Sequence, residues 1–511
     1  MCTSKRKINP LIPLDYPDPD VIRVEDTYYM VSTTMHFMPG CVILKSYNLV
    51  DWEIETYVYE TLDETETQCL QNGENAYGQG MWAATLRHYE GMFYIVFVAN
   101  DTGKTYLFRS QNIRGPWKKN IIDGFYHDCS LLFEDGKAYL AYGNRQIYIV
   151  ELNKELTAPE KGGLRKLVVE DQDDVRLGYE GTHWYKIHGK YYMFFIHWHK
   201  AEGARRCEAC YVSDRLAGPY TGRDILDTDG GYCNQGVAQG GIVDTPEGEW
   251  YGILFRDMGA VGRLPVLVPV SWEEDFPIFG IDGKVPDEWK IRDCRPGYKY
   301  APLYGDDDFD SIKEFWQWNH VPDKECICIG KDGGENTELC VYTSKVCHNV
   351  TQAPNTLTQR LIYPGCQVTV TVDGTHLGDG DVAGMCLLQG DYGVIGIMRD
   401  GNQYELVQLQ RPGETDGSMG APEDQTIPEV VEKCLLDDPS AKLRVTVDFT
   451  NMRDIACFEV KRDGKWKPFG KPMKLYFKLD HFCGVRIGLC CYATKQAGGH
   501  GAFRTFRYIP T

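Results

Sequence analysis

Five stretches of this chain read as copies of one unit. They end in residues 26–34 (DTYYMVSTT), 91–100 (GMFYIVFVAN), 136–144 (GKAYLAYGN), 189–198 (GKYYMFFIHW) and 248–257 (GEWYGILFRD), and each is a turn followed by an aromatic-rich strand. Aligned on Tyr29, Tyr94, Tyr139, Tyr192 and Tyr251, the copies are 65, 45, 53 and 59 residues apart. That spacing suits a four-stranded unit with variable loops. A repeated hairpin of this kind is buried by stacking on its own copies, and radial stacking predicts a five-bladed β-propeller. The outer half of the unit recurs too, in 46–52 (SYNLVDW), 110–117 (SQNIRGPW) and 213–220 (SDRLAGPY). The propeller is placed over residues 8–295.

The repeat then stops. Residues 295–307 (RPGYKYAPLYGDD) are rich in Pro, Gly and Asp, and the remainder shows a second all-β pattern with strands such as 367–372, 443–449 and 485–492. Regularly spaced short strands predict a β-sandwich over residues 304–511. Two cores are also what 511 residues call for. The fold class is therefore all-β, a propeller followed by a sandwich. An acidic stretch at 413–432 has little periodicity and is expected to be an exposed loop.

Charge and composition remove several function classes. A net charge of −19 and a pI of about 5.1, without a dense Lys/Arg patch, repel nucleic acid and favour a neutral substrate. No run approaches eighteen apolar residues, so no membrane span is expected. The N-terminal residues lack the apolar core of a secretion signal. The 19 cysteines are an odd number, many within strand-like runs, which suits buried thiols in a reducing cytoplasm. Cys207 and Cys210 form a single CxxC with no partner pair and are read as core strand rather than zinc ligands. No metal ligand is assigned.

The repeat also aligns chemistry. Eleven or twelve residues before the anchor tyrosines stand Asp18, Trp82, Asp128, Glu180 and Gln239. Stacked blades bring such positions together at one mouth of the propeller, so three carboxylates and a Trp are expected to converge. Paired carboxylates flanking a glycosidic bond hydrolyse it: one activates water and the other protonates the leaving oxygen, about 6.5–9.5 Å apart when the configuration inverts. A third carboxylate beside the acid raises its pKa. Asp18 lies between prolines in YPDPDV, which suits a base held still. Glu180 has apolar and aromatic neighbours in GYEGTHWY, which suits an acid kept protonated. Trp82 is a candidate platform for a sugar ring. Arg263 enters a strand of the fifth blade and could donate to sugar hydroxyls or fix a carboxylate.

These motifs resemble glycoside hydrolase family 43, the five-bladed propellers that include β-xylosidases and α-L-arabinofuranosidases. The opening NPLIPLDYPDPDVIRVEDTYYMVSTT is similar to that family's start. The resemblance implies that Asp18 is the base, that Asp128 in YHDCS modulates the acid's pKa, and that Glu180 in YEGTHWYKI is the general acid. It also implies that Trp82 in GMWAATLR and Arg263 in GRLPVLVPVSW contact substrate. The segments WQWNHVPD, APNTLTQR and AGMCLLQGDYGVIGI resemble the concanavalin A-like sandwich of the β-xylosidase branch. The blade-one loop reads TMHFMPG where those enzymes often read TFEWFPG, so Met35 and Phe37 are expected at the substrate pocket, with Met35 replacing an aromatic wall. Ala238 stands where some relatives carry a His of an axial calcium site. No cofactor is required by this reading, and an axial calcium is left open.

The expected function is an inverting, exo-acting hydrolase that releases terminal β-D-xylosyl or α-L-arabinofuranosyl units from xylo- or arabinoxylo-oligosaccharides. The alternatives are a non-catalytic carbohydrate-binding propeller and an arabinan-directed endo-hydrolase. A homo-oligomer is compatible with either.

Overall fold

In the computed structural model, which describes residues 6–171, 174–289, 293–331, 334 and 337–511, each repeat is a four-stranded antiparallel meander. The blades begin with the strands Asp20–Val24, Met81–Tyr89, Ser130–Glu134, Val175–Ile187 and Val237–Asp244. These first strands contact one another from blade to blade, the fifth against the first, so they line the axis. The recurring turn before each anchor tyrosine has a physical origin. Glu90–Gly91, Asp135–Gly136 and His188–Gly189 all have positive φ at both residues, which matches the twist of a tight hairpin. The recurring outer turn is also one device used three times. The hydroxyls of Ser46, Ser110 and Ser213 each accept the backbone N–H two residues on, at 3.1–3.2 Å.

The ring is closed by the N-terminal segment. Asn9 donates to Leu267 O at 2.9 Å and accepts from Leu267 N at 2.8 Å, and Leu11 N donates to Pro265 O. Arg23 of blade one pairs with Asp244 of blade five.

Along the axis runs a polar core that the repeat pattern does not announce. Arg87, on the first strand of blade two, uses all five of its N–H donors. They go to Asp20 Oδ2 (2.7 Å), Ser130 Oγ (2.8 Å) and the carbonyls of Leu86 (2.6 Å), Leu131 (2.9 Å) and Trp184 (3.3 Å). Asp20, fully buried, also meets His183 Nδ1 at 3.1 Å, Tyr185 Oη at 3.3 Å and Leu86 N at 2.7 Å. Burial alone would push its carboxyl up, but Arg87, His183 and Leu86 N hold it well below the usual carboxylate range.

The second unit is a sandwich of two large sheets. Strands Gly365–Asp373 and Ser440–Asp448 alternate buried and half-exposed residues, as expected for a sheet with one wet face. Strands Asp381–Leu388 and Arg486–Ala493 are buried at every position, because their sheet is covered on both faces. One face meets the other sheet; the other packs against Met35 and Phe37 of blade one and the 347–353 segment. That sheet runs on into the propeller, since Phe37–Met38 of the blade-one loop pairs with Gln317–Asn319 as its edge strand. Asp15 staples the seam, accepting from Arg263 N at 2.7 Å and Gly484 N at 2.8 Å. The 413–432 segment is largely exposed, as expected, but it is not all loop: its end opens the edge strand Glu429–Leu436. The rest is pinned: Asn75 donates to Ala421 O and Asn349 to the carbonyls of Asp424 and Thr426.

Removing the guanidinium by Arg87→Met leaves Asp20 buried without its cation. Breaking a buried pair in this way costs about 3–5 kcal/mol at neutral pH. Chemical denaturation should show that loss, and the loss should shrink as pH falls and the stranded carboxyl protonates. A variant as stable as the parent at pH 7 would show that the axis does not depend on this pair.

Candidate active site

The five repeat-equivalent residues do converge. Asp18, Trp82, Asp128, Glu180 and Gln239 all line one cavity of about 350 Å³. Trp82 and Glu180 lie within first strands of their blades. Asp18, Asp128 and Gln239 share a left-handed backbone, with φ of 51°, 47° and 56°. A non-glycine residue in that region carries strain of about 1–3 kcal/mol, and such strain gathers at functional sites. Gly181, at φ +64°, follows Glu180 where a Cβ would lie 2.6 Å from the Gln239 side chain, so any larger residue there would be strained and would displace Gln239.

Each carboxylate sits in a different environment. Asp18 is buried, and both of its oxygens are engaged: Arg263 Nη1 donates to Oδ1 at 2.7 Å and Thr33 Oγ1 to Oδ2 at 2.6 Å. Burial pushes its carboxyl up, and Arg263 and Thr33 draw it back in part. Arg263 is held over the ring of Phe482 at 4.6 Å and near Phe255 at 5.2 Å. Its guanidinium donates to the Phe482 carbonyl at 3.4 Å as well as to Asp18. Asp128, also buried, accepts from Gly181 N at 3.1 Å and so fixes the backbone next to Glu180. Burial raises its carboxyl, and His127 opposes the rise. Glu180 is the more open group. It accepts from Asn144 Nδ2 and lies 3.4 Å from His127 Nε2. His127 Nε2 is also 3.7 Å from Asp128. The Asp128 charge, with help from Glu180, pushes the His127 imidazole up to about 9, so it is a cation at neutral pH.

The sandwich completes the cavity with Met419, Phe477, Leu479 and Phe482. Trp82 packs near Phe482 and His127, with ring centroids 5.5 and 5.9 Å away. Met35 and Phe37 are not at the cavity. Both are buried in the core at the seam, Met35 bridged to Met81 and Phe37 beneath Arg486, so the expectation that they form a substrate wall is corrected. The physical reason is the edge strand at Phe37–Met38, which draws that loop into the sandwich sheet.

A floor of carboxylates in distinct environments, under an aromatic wall and an apolar rim, is equipped for proton transfer on a neutral polyhydroxylated substrate. Residues 8–277 match the glycosyl hydrolases family 43, and residues 306–509 match the β-xylosidase C-terminal concanavalin A-like domain. The chain belongs to glycoside hydrolase family 43. A β-xylosidase of Formosa agariphila is 25% identical over 98% of this chain and 90% of its own length. A bifunctional GH43-CE protein of Bacteroides eggerthii superposes with a TM-score of 0.89 at 36% identity, covering all of this chain and 64% of that one. The chain therefore spans less than two thirds of that protein. A family 43 enzyme with an engineered active site that displays endo-xylanase and exo-arabinofuranosidase activity superposes equally well, at 0.89 and 27% identity over the full length of both chains.

Several cavity residues carried no role in the sequence reading. His127 stands directly before Asp128, and its imidazole could be placed only by knowing which way the left-handed turn directs it. Asn144 and Asp257 end the aromatic strands of their repeats, so the register that located the carboxylates also pointed to them. Arg206 lines the cavity, paired with Asp257, and burial beside Arg263 lowers its guanidinium to about 10. The sandwich residues had no sequence signal, because their position depends on how two domains dock.

His127 and Asn144 both contact the Glu180 carboxylate. If they position it, His127→Gln and Asn144→Ala should each lower kcat by about tenfold or more with a smaller effect on KM. Steady-state kinetics check this, and variants that change KM alone would show that neither contact positions Glu180.

Proposed function

We propose that this glycoside hydrolase is an exo-acting, inverting pentosidase that releases terminal β-D-xylosyl or α-L-arabinofuranosyl units from xylan-derived oligosaccharides. The observation that carries the reading is the lining of the cavity. Asp18, Asp128 and Glu180 line it together with the sandwich residues Met419, Phe477, Leu479 and Phe482. A sandwich wall beside the carboxylates favours a chain end over a chain that runs through. The names of the relatives, β-xylosidase among them, and the arabinofuranosidase activity in a structural neighbour support the substrate class.

In the proposed reaction Asp18 takes a proton from water while that water attacks the anomeric carbon. Glu180 gives its proton to the departing glycosidic oxygen, and the configuration inverts. Arg263 and Thr33 hold Asp18 still, and burial keeps it basic. Asn144 and His127 aim Glu180, and Asp128 anchors the chain beside it through Gly181 N. Trp82 and Phe482 supply flat faces for the sugar.

The reaction is proposed to need no cofactor. The donors at the axis do not fit a calcium: Ala238 offers no ligand atom, and the Asp20 carboxylate is already saturated by Arg87, His183, Tyr185 and Leu86 N. A reducing cytoplasm is the proposed compartment, supported by the described cysteines, all of which are free thiols. Among the described residues no helix is long and apolar enough to cross a membrane.

Leaving groups separate the two roles. Glu180→Ala should lose about 10²–10⁴-fold on xylo-oligosaccharides and far less on aryl pentosides with acidic phenols, which depart without protonation. Asp18→Ala should be severe on both. Proton NMR of the first sugar released should show the opposite anomer to the substrate; the same anomer would overturn inversion. Parallel rates on aryl xyloside and aryl arabinofuranoside rank the two sugars, and internal cleavage of arabinan as the main activity would replace this reading with an endo-hydrolase.

A further inference from the structure

Outside the catalytic cavity, blade four gathers four residues of metal-binding type on one face of its sheet. Strand Lys190–His199 supplies His197 and His199, strand Arg206–Ser213 supplies Cys207, and strand Thr221–Leu226 supplies Asp224. Residues two apart on a strand share a face, and His197 pairs directly with Cys207, while Ala209, two residues on, pairs with Asp224. The register thus puts all four on one side. One ligand atom from each lies within 4.8 Å of the others. His197 and Cys207 are buried, whereas the side chains of His199 and Asp224 are 43% and 26% exposed, which leaves an entry path.

The orientation of each group is already set. His197 Nε2 faces Asp171 Oδ2 at 3.1 Å, leaving Nδ1 directed at Asp224 Oδ1, 3.2 Å away. His199 Nε2 is 2.6 Å from Asp224 Oδ2. The Cys207 thiol donates to the His197 carbonyl at 3.3 Å and also interacts with Asp224. An imidazole that gives its far N–H to a carboxylate, as His197 does to Asp171, has the tautomer and the fixed ring that metal-binding histidines show.

We propose that His197, His199, Cys207 and Asp224 form a structural zinc site that ties together three strands of blade four, with Asp171 of blade three holding His197 from outside. Two nitrogens, a thiolate and a carboxylate suit a borderline-soft ion. Zinc bonds of about 2.0–2.3 Å set ligand atoms roughly 3.3–3.8 Å apart in a tetrahedron, so the cluster needs side-chain shifts of only about 1 Å. Binding releases the Cys207 proton and any proton shared between the histidines and Asp224, so affinity rises with pH. The CxxC spacing plays no part. Cys207 and Cys210 are an odd number apart on one strand, and Cys210 points to the opposite face, into the core beside Tyr192 and Phe194. The site is chemically distinct from the His127, Asp128 and Glu180 cluster, which has no thiol.

The test uses the full chain, stripped with a chelator and titrated with zinc alone and with cobalt(II) alone. About one zinc per chain should bind and raise the melting temperature. Cobalt should give tetrahedral ligand-field bands and a near-ultraviolet sulfur-to-cobalt charge-transfer band. Cys207→Ser should abolish the charge-transfer band and Cys210→Ser should keep it. His199→Ala, at an exposed position that tolerates truncation, should weaken zinc at least tenfold with metal-free activity unchanged, and Asp171→Asn should weaken it about 10–100-fold. No charge-transfer band, or a band that survives Cys207→Ser, would overturn the proposal. So would zinc that leaves stability unchanged and only inhibits hydrolysis, since that is binding at the carboxylate cavity.

Discussion

The guanidinium of Arg87 is the element on which the propeller axis depends. A ring of five blades has no covalent closure and leaves a channel where five strand edges meet. Filling it with apolar side chains would leave the turned backbone there without partners. Arg87 instead spends one planar group of five donors on Asp20 of blade one, its own neighbour Leu86, Ser130 and Leu131 of blade three, and Trp184 of blade four. Asp20 extends the network to His183 and Tyr185. Four blades are thereby indexed against one another by a group whose geometry cannot adapt to a different blade number. A lysine would keep the charge and lose the indexing, because its ammonium has no fixed fork.

That indexing is what makes the cavity. Asp20 lies two residues beyond Asp18 on the same stretch, so the residue that fixes blade one at the axis also fixes the height of Asp18 at the mouth. Ser130 lies two residues beyond Asp128 and accepts both from Arg87 and from Trp184 N at 2.9 Å. The Asp18 and Asp128 positions are therefore each set by a hydrogen bond one strand pleat below them. From the other side, Asp15 binds the N–H groups of Arg263 and Gly484, so the sandwich is registered to the same segment that carries Asp18. Axis, cavity and lid are located by residues 15, 18 and 20 of one short stretch.

Much of this was legible because a repeat is a spatial statement written in sequence. The tyrosine register predicted which five residues would meet, and all five do. The sandwich followed from strand spacing. What escaped is what a repeat does not encode. His127 and the axial Arg87 are unique to single blades, so no copy marks them. Met35 and Phe37 were expected in the pocket because their loop resembles one that β-xylosidases carry there; pairing with the sandwich sheet buries them instead. The Cys207 to Cys210 spacing joins opposite faces of a strand, while the residues that do share a face with Cys207 are eight, ten and seventeen positions away along the chain. Motif spacing reads contacts along a helix or a loop well, but cross-strand neighbours become visible only once the register of the sheet is known.

The division of labour within the cavity follows from the two architectures. Propeller turns at the axis converge, have strained backbones and present polar groups a few ångströms apart, so the titratable residues lining the cavity all come from blades. Sandwich loops arrive from one side only and bring Met419, Phe477, Leu479 and Phe482, which can exclude water and shape but cannot exchange protons. Phe482 acts in both worlds. It closes the wall and lies over the Arg263 guanidinium at 4.6 Å, while its carbonyl accepts from Arg263 Nη2 at 3.4 Å. A ring over that ion pair lowers the local dielectric and strengthens the grip of Arg263 on Asp18. Docking of the sandwich therefore does more than narrow the entrance: it tunes the carboxylate that the propeller supplies, and a propeller without its sandwich would hold the same residues in a wetter and weaker arrangement.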